Sequence, residues 1–435
     1  MLYYSTKNKD YTVSLKEAIL HGMPQRGGLY LPLNLPQVSS AFLKKIPNLS
    51  FQEISVTLAK HLLGDDVSAA VLEKIVYDAL YFDTPLVPVT EEIKTLELFH
   101  GPTLAFKDVG ARFMARLMSY FISGSDKKLN IVVATSGDTG SAVANGFFKI
   151  PGINVFVLYP SGKISEIQEK QIATLGNNIT SLEVQGSFDD CQKLVKQVLS
   201  DADFTQQFDM TTANSINIAR LIPQIFYYFR LYAQLKQASQ HLCISVPSGN
   251  FGNLTAGLMA KKMGLPVYKF IAATNVNDVV PEYLDTGVYR PRPSKTTISN
   301  AMDVGDPSNF IRIIDLYNGE ITALRQDLYG KGFNDNQTRK CIREVFKKHG
   351  YICDPHGAVG FLGLQDYLRK DSKVEEAVFL ETAHPVKFKN IVEQEISKDI
   401  DLPERLEKCM EEEKKSIPVS CNLDQIKNII AEKNR

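Results

Sequence analysis

The sequence lacks an excess of charge of either sign. Its 49 Lys and Arg residues balance 49 Asp and Glu residues, so the formal net charge at pH 7 is zero. Proteins that bind nucleic acids or anionic membranes generally carry an excess of positive charge. We therefore expect neither a nucleic-acid partner nor a membrane partner. Small basic sites for an anionic substrate remain compatible with this composition.

Long apolar runs and paired cysteines are also missing. No apolar segment approaches the roughly 20 residues of a transmembrane helix. The N-terminus has neither the apolar core of a secretory signal nor the Arg-rich pattern of a transit peptide. The six cysteines never form a Cys-x-x-Cys pair, so neither a disulfide framework nor a zinc site is indicated. We expect a cytoplasmic protein that holds no metal.

The chain is long enough for more than one hydrophobic core. At 435 residues, two or three domains are expected. Amphipathic segments at 13–21, 54–63 and 69–80 predict a mostly helical N-terminal domain at 1–90. Further on, short apolar runs alternate with helix-length segments, which is typical of β-α-β units in parallel sheets. We predict one α/β domain at 91–240 and a second, with C-terminal helices, at 241–435.

The predicted strands supply the framework for these α/β domains. The strands are predicted at residues 92–98, 130–134, 155–159, 180–184, 243–246, 270–274 and 375–380.

A connection rich in Pro, Ser, Thr and Asn, at residues 281–308, is long enough to act as a lid.

The segment LFHGPTLAFKD, at residues 98–108, is the most informative in the chain. Its Gly-Pro turn and the helical pattern at 109–121 place Lys107 near the N-terminal end of a helix. There the helix dipole and the apolar neighbours Ala105 and Phe106 disfavour a protonated ammonium. A partly neutral lysine is a nucleophile suited to Schiff-base chemistry. An ordinary surface lysine in the first turn of a helix is the alternative.

Two loops follow predicted strands and precede predicted helices, where open α/β sheets bind their ligands. In the SGNFGN loop, at residues 248–253, small residues let backbone N–H groups approach an anion such as a phosphate. A tight turn with a helix cap is the alternative there. The TSGDTG loop, at residues 135–140, offers the hydroxyls of Ser136 and Thr139 to a carboxylate. The negative charge of Asp138 opposes an anion, so we expect this residue either to cap the helix or to face a substrate amine.

Five segments together resemble one known family. HGPTLAFKD, TSGDTG, NSINIAR, SVPSGNFGN and ETAHPVKF, in this order, are similar to motifs of the microbial threonine synthases, pyridoxal-phosphate enzymes of the tryptophan synthase β type. GMPQRGGLYLP resembles that family's N-terminal domain, so the likeness covers nearly the whole chain. It implies the pyridoxal-phosphate-dependent fold type II, with parallel sheets flanked by helices. Asp138 agrees with it, because threonine synthases of this branch have Asp at this position, whereas related members of the wider fold usually have Asn.

The resemblance also implies roles for individual residues. Lys107 would bind pyridoxal 5'-phosphate as a Schiff base and act as the catalytic residue. Thr382 would meet the pyridine nitrogen, where a neutral hydroxyl leaves the ring largely unprotonated and limits side reactions. The cofactor phosphate would lie against Gly249, Asn250, Phe251, Gly252 and Asn253. The substrate carboxylate would bind Ser136, Gly137, Asp138 and Thr139.

The substrate phosphate needs donors of its own. In NSINIAR, Ser215, Asn217 and Arg220 fall on one face at the start of a helix predicted over 215–235. A guanidinium with small polar neighbours at a helix N-terminus suits a phosphate. Helix capping plus a surface arginine is the alternative, and Lys163 and Arg112 are further candidates. His384 and Lys387 are expected to be structural rather than catalytic.

The reaction implied by the resemblance converts O-phospho-L-homoserine and water into L-threonine and phosphate. It proceeds by γ-elimination and β-addition of water, and it is the last step of threonine biosynthesis. A related phospho-lyase or dehydratase that yields a 2-oxo acid is the alternative within the fold. A cofactor-free binding protein is the alternative outside it. We expect a small-molecule substrate and either a monomer or a weak homodimer.

Overall fold

The computed structural model describes residues 1–235 and 241–434. In these residues two largely parallel sheets form the centre of the molecule. The larger sheet has six strands, in the spatial order Leu328–Gly332, Lys269–Thr274, Leu242–Pro247, Glu376–Glu381, Ile93–Glu97 and Leu86–Pro88. The smaller sheet has five, in the order Ile417–Val419, Ile179–Val184, Ile153–Pro160, Leu129–Ala134 and Met210–Thr211. Among the described strands of these two sheets, only Leu86–Pro88 is antiparallel to its neighbour.

The central strands follow directly from the apolar runs of the sequence. Leu129–Ala134 and Leu242–Pro247 are buried along their whole length, as expected of parallel strands covered on both faces. All seven predicted strands are confirmed to within two residues at each end. Two missed strands have a clear reason. Leu328–Gly332 contains two glycines and Ile417–Val419 contains Pro418, and both lie at sheet edges, where such residues are tolerated.

The N-terminal region is mostly helical, as predicted, but it also contains a small sheet that the sequence analysis missed. The strand Leu2–Ser5 pairs antiparallel with Asn8–Ser14 on one side and with Tyr30–Pro32 on the other. The first helix, predicted from residue 13, begins at Leu15 because Ser14 and Glu17 form a capping box. The other helices are Ser40–Lys45, the 3-10 turn Ile46–Asn48, Phe51–Leu63 and Ala69–Ala79.

Helices connect and cover the two sheets. The helix predicted over 215–235 is divided into Ile218–Leu221 and Gln224–Ala233 by Pro223, which has no N–H to donate. Among the described residues, none of the helices is both long and apolar enough to span a bilayer. The remaining helices and 3-10 turns are Lys107–Ile122, Asp138–Phe147, Glu166–Ala173, Phe188–Ser200, Ala202–Phe208, Gly252–Lys262, Val279–Thr286, Asn300–Met302, Phe310–Leu316, Ile321–Asp327, Asp335–His349, Pro355–Leu368, Pro385–Phe388, Lys389–Ile396, Glu404–Glu411 and Leu423–Lys433.

The two sheets draw on distant parts of the chain. Ile93–Glu97 belongs to the larger sheet, next to the strand Glu376–Glu381. Ile417–Val419 belongs to the smaller sheet, next to Ile179–Val184. The division into domains at 1–90, 91–240 and 241–435 stays a prediction, and its second boundary borders residues 236–240, which lie outside the described residues.

Candidate active site

Three of the predicted site segments follow three neighbouring strands of the larger sheet. The chain leads to Lys107 after Ile93–Glu97, reaches Thr382 after Glu376–Glu381, and enters the SGNFGN loop after Leu242–Pro247. Because these strands are parallel, their carboxyl ends lie at one edge of the sheet, where ligands bind in such folds.

Backbone hydrogen bonds hold Lys107 close to Thr382. The Phe106 N–H donates to the carbonyl of Thr382 at 2.9 Å. Immediately before it, Ala105 forms an antiparallel bridge with Ala383. Lys107 is the first residue of the helix Lys107–Ile122, as predicted from the Gly-Pro turn. The segment leading into the lysine is therefore attached to the segment that carries the threonine.

Lys107 is partly buried rather than exposed, so it is not an ordinary surface lysine. Loss of hydration lowers the pKa of its ammonium from 10.5 to about 8. The negative charge of Asp138 opposes this shift, whereas the positive charges of Lys387 and Arg220 add to it. About a tenth of Lys107 is therefore neutral at pH 7, in agreement with the lowered pKa expected from the sequence.

The TSGDTG loop is shaped by a hydroxyl and a glycine. The Thr135 Oγ1 atom accepts hydrogen bonds from the N–H groups of Gly137 at 2.9 Å and Gly140 at 2.8 Å. Gly137 has φ +133°, and a Cβ atom there would lie 2.4 Å from the side chain of Gln168. The position therefore requires glycine for its conformation and for space.

This loop presents free donors at the start of the helix Asp138–Phe147. In the described part of the chain, the N–H groups of Asp138 and Thr139 have no acceptor. The hydroxyls of Ser136 and Thr139 are partly accessible and form no hydrogen bond with described residues. Two amides at the positive end of a helix, together with two hydroxyls, can bind a carboxylate.

Asp138 is buried in this loop and is held by a lysine and an amide. Its Oδ1 atom accepts from Lys387 Nζ at 2.8 Å and from Gln168 Nε2 at 2.9 Å. Burial alone would raise the pKa of this carboxyl, but the positive charges of Lys387 and Lys107 outweigh burial and lower it. Asp138 is therefore ionised and paired, which the sequence did not predict.

His384 has a structural role, as expected. Its Nδ1 atom accepts from the Val386 N–H at 3.2 Å and caps the 3-10 turn Pro385–Phe388. Burial lowers the pKa of its imidazole to about 4, so the ring is neutral at neutral pH.

The SGNFGN loop has no charged side chain, and its backbone N–H groups are available to a ligand. Among the described residues, none accepts from the N–H groups of residues 249–253, and the helix Gly252–Lys262 begins within the loop. Phe251 has φ +60° and is buried. Five successive amides at a helix N-terminus form a site that fits a phosphate without a basic side chain.

The 281–308 connection packs onto the SGNFGN loop. A Cβ atom on Gly249 would lie 2.6 Å from the carbonyl oxygen of Ala301, so no side chain fits there. Asn250 accepts from the Ser308 N–H at 2.6 Å and donates to Ser215 Oγ at 2.6 Å. Asn253 donates to the carbonyl of Pro247 at 2.9 Å. The connection thus closes over this loop.

Arg220 is a buried cation without an anion. Its Nη1 atom donates to the carbonyl of Ala213 at 2.6 Å, while its Nε atom has no partner. No carboxylate of the described residues forms an ion pair with it, and burial lowers the pKa of its guanidinium to about 10, against the opposing effect of Asp108. An unpaired buried charge is costly, so this arrangement favours an anionic ligand.

Asn217 differs from Arg220 because its side chain is already used. Its amide nitrogen donates to the carbonyls of Ile19 at 2.8 Å and Thr212 at 3.2 Å, and its oxygen caps the Ala219 N–H. Both donors are occupied, so helix capping, the alternative weighed from the sequence, describes this residue. Of the predicted phosphate ligands, Ser215 and Arg220 keep capacity for a ligand.

The two further candidates for the substrate phosphate lie in different settings. Arg112 donates to the carbonyls of Ala79 and Asp78, each at 2.9 Å, and its guanidinium lies 4.6 Å from the ring centroid of Tyr81. Lys163 is exposed in a turn. Neither is a buried cation without a partner, which leaves Arg220 as the best of the three.

The sequence analysis did not identify Arg312 as a residue that supports the site. Fully buried, it donates to the carbonyls of Ile216 at 2.7 Å and Tyr30 at 3.0 Å, and to the side-chain oxygen of Asn309 at 2.6 Å. It therefore supports the segment that carries Ser215. Its partners are far apart in the chain, so no local pattern could have identified it.

The chain is similar to known proteins over nearly its whole length. The model of a family described as pyridoxal-phosphate dependent enzyme matches residues 79–382. The models described as threonine synthase N terminus and threonine synthase, C-terminal match residues 2–80 and 357–430. The threonine synthase of Escherichia coli K12 is 44% identical over 407 residues, which cover 93% of this chain and 94% of that protein.

Solved structures give the same result. A crystal structure of threonine synthase from Escherichia coli has a TM-score of 0.93 and 41% identity, with 100% of both chains covered. The structure of pyridoxal-phosphate-bound threonine synthase from Brucella melitensis has a TM-score of 0.95 and 33% identity, again with 100% of both chains covered.

Proposed function

The chain belongs to the threonine synthase family, and we propose that the site around Lys107 carries the reaction of that family. The protein is a lyase of fold type II that depends on pyridoxal 5'-phosphate, and it converts O-phospho-L-homoserine and water into L-threonine and phosphate. This is the last step of threonine biosynthesis. The observation that supports this site is that Lys107, Thr382 and the SGNFGN loop follow neighbouring parallel strands at one edge of the larger sheet, while the charge of Asp138 in the TSGDTG loop acts on the amine of Lys107.

The residues present fit pyridoxal phosphate. Residues 249–253 offer free N–H groups for its phosphate, Lys107 offers a partly neutral amine, and Thr382 lies beside that lysine. When bound, the cofactor supplies an electron sink for negative charge that develops on substrate carbon atoms. The hydroxyl of Thr382 would meet the pyridine nitrogen as a neutral partner.

The substrate would be held at both ends. The amides of Asp138 and Thr139 and the hydroxyls of Ser136 and Thr139 would bind its carboxylate, with Gly137 keeping the loop open. Arg220 and Ser215 would bind its phosphate. Lys107 Nζ would then remove and return protons at the substrate carbons, because an amine with a pKa near 8 can both accept and donate a proton.

Two measurements test this assignment. Reduction of the holoenzyme with borohydride, followed by peptide mapping, should place a pyridoxyl label on Lys107, and a label on another lysine would overturn the assignment. Incubation with O-phosphohomoserine should release phosphate and threonine in equal amounts. A 2-oxo acid as the main product would instead favour the lyase or dehydratase alternative. Lys107→Ala should lose essentially all turnover.

We also propose the cellular compartment, the oligomeric state and the domain division of the enzyme. The six cysteines are unpaired, which supports a reducing compartment such as the cytoplasm. We propose a monomer or a weak homodimer, to be tested by sedimentation over a range of protein concentrations. The three domains at 1–90, 91–240 and 241–435 are proposed in the same way, and limited proteolysis should cut near their boundaries.

A further inference from the structure

We propose that Lys387 is a positioning residue for the substrate carboxylate, because it neutralises Asp138 and so allows the TSGDTG loop to accept an anion. The inference rests on the proposed function of that loop. It explains how a loop that carries a carboxylate of its own can bind the carboxylate of an amino acid.

The contacts of Lys387 fix the pair in one arrangement. The lysine side chain has no exposed surface, and its Nζ atom lies 2.8 Å from Asp138 Oδ1 and 3.0 Å from the carbonyl oxygen of Thr103. Gln168 donates to the same carboxylate oxygen at 2.9 Å, and its own side-chain oxygen accepts from the Ser165 N–H at 3.2 Å. The Asp138 Oδ2 atom, in contrast, has no donor among the described residues.

The charges decide what this arrangement can bind. Without Lys387, the loop would hold a buried negative charge beside its free amides, and that charge would repel a second carboxylate. With Lys387 the pair is neutral, so the amides and the helix dipole determine the affinity for an anion. The free Asp138 Oδ2 atom remains available to the amino group of the same ligand.

The pair also joins the TSGDTG loop to the segment before Lys107. The Thr103 carbonyl accepts from Lys387, while the Thr103 N–H and hydroxyl donate to the buried carboxylate of Asp108 at 2.8 and 2.7 Å. Asp108 lies next to Lys107 in the chain. Lys387 thus holds the carboxylate site in a fixed position relative to the reactive lysine.

The test compares ligands with and without a carboxylate. L-threonine and n-propylamine would each be titrated into the holoenzyme, and binding would be followed through the visible absorbance of the cofactor. Lys387→Met should weaken L-threonine binding at least tenfold and raise KM for O-phosphohomoserine, with little change for propylamine. An equal loss for both ligands, or no loss for either, would overturn the proposal.

Further variants separate charge from folding. Asp138→Asn combined with Lys387→Met should recover much of the L-threonine affinity lost in Lys387→Met, since no unpaired charge remains. If the double variant binds no better than Lys387→Met, neutralisation is not the role of the lysine. Lys387→Arg provides a second variant that keeps the positive charge, and it should stay closer to wild type than Lys387→Met.

Lys389→Met is the matched control. Lys389 lies two residues away and pairs with Glu393 at 3.3 Å near the protein surface, so its replacement should leave binding of both ligands unchanged. Wild-type turnover distinguishes a failure of the proposed function from a failure of the proposed role of Lys387. A wild-type protein that makes no threonine would refute the proposed function, whereas an active one in which Lys387→Met behaves like the control would refute this inference alone.

Discussion

On the proposed cofactor side of Lys107, the SGNFGN loop contains no charged side chain. On the proposed substrate side, Asp138 of the TSGDTG loop forms an ion pair with Lys387, and the buried Arg220 pairs with no carboxylate of the described residues. Both sides present free amides at the start of a helix. Both sides therefore offer backbone amides at a helix N-terminus, but only the substrate side also contains buried charged side chains.

The difference matches what each side would bind. A cofactor that stays in place can be held by backbone amides and by close packing of the SGNFGN loop against residues 301–308. Neither interaction buries a charged side chain that would need a partner of opposite charge. A substrate that enters and leaves with charges at both ends needs cations that remain buried when it is absent. Such cations are costly, and here Asp138 balances one of them while Arg220 stays unpaired.

The largest effect should come from the unpaired cation. Arg220→Ala should reduce kcat/KM about 30-fold to several thousand-fold. This corresponds to a loss of roughly 2–5 kcal/mol of transition-state stabilisation, the range for losing one partner of a buried charge pair. Cofactor affinity should not change, because a separate loop is proposed to hold the cofactor phosphate. The control Lys163→Ala removes an exposed lysine and should have almost no effect. A loss below tenfold in Arg220→Ala would make Arg220 a structural residue.

The next effect should be confined to the cofactor side. In Gly249→Ala, the new Cβ atom would lie 2.6 Å from the backbone of Ala301, so the SGNFGN loop must shift. We expect weaker binding of pyridoxal phosphate by about 1–3 kcal/mol, the usual cost of overpacking. At Gly252 the nearest atom would lie 3.4 Å away, so Gly252→Ala should cost less. Titration of the cofactor-free proteins measures both, and equal affinities would contradict the packing argument.

The pH dependence of cofactor uptake should report the pKa of Lys107. Only the neutral amine reacts, so with a pKa near 8 the uptake rate of the cofactor-free protein should rise about tenfold per pH unit below pH 7 and level off above pH 8. Nα-acetyl-lysine is the control, because its amine has an ordinary pKa of about 10.4 and its rate should keep rising about tenfold per pH unit above pH 8. A protein rate that keeps rising in the same way would contradict the lowered pKa of Lys107.

The two members of the ion pair should shift this profile in opposite directions. Lys387→Met removes a positive charge that lowers the pKa of Lys107, so the midpoint should move to higher pH. Asp138→Asn removes a negative charge that raises this pKa, so the midpoint should move to lower pH. Shifts in the same direction would show that the substrate side does not act on Lys107 through charge.

The smallest effect should come from Thr382. Thr382→Val removes one neutral hydroxyl and should weaken cofactor binding or slow turnover by about 0.5–1.5 kcal/mol, the net value of one hydrogen bond. Thr382→Ser keeps the hydroxyl and serves as the control. If Thr382→Val matches the control in affinity, rate and visible absorbance, the hydroxyl does not contact the cofactor.

Much of the framework could be predicted because its signals are local. Continuous apolar runs such as 130–134 indicate buried parallel strands, and the Gly-Pro turn at 101–102 predicts where the helix of Lys107 begins. The resemblance of five ordered motifs implied the family, and the comparisons confirm it. The edge strands at 328–332 and 417–419 were not predicted, because glycine and proline weaken the apolar pattern by which strands are identified.

What the sequence determined by itself was the order of strands and helices, the nature of the two loops and the candidate lysine. The tertiary structure decided how those residues share charge and hydrogen bonds. Asp138 and Lys387 are 249 positions apart in the chain, yet they form one buried ion pair. The side-chain amide of Asn217 likewise donates to a carbonyl 198 residues away. Burial and pairing depend on distances in space, which spacing along a single chain does not encode.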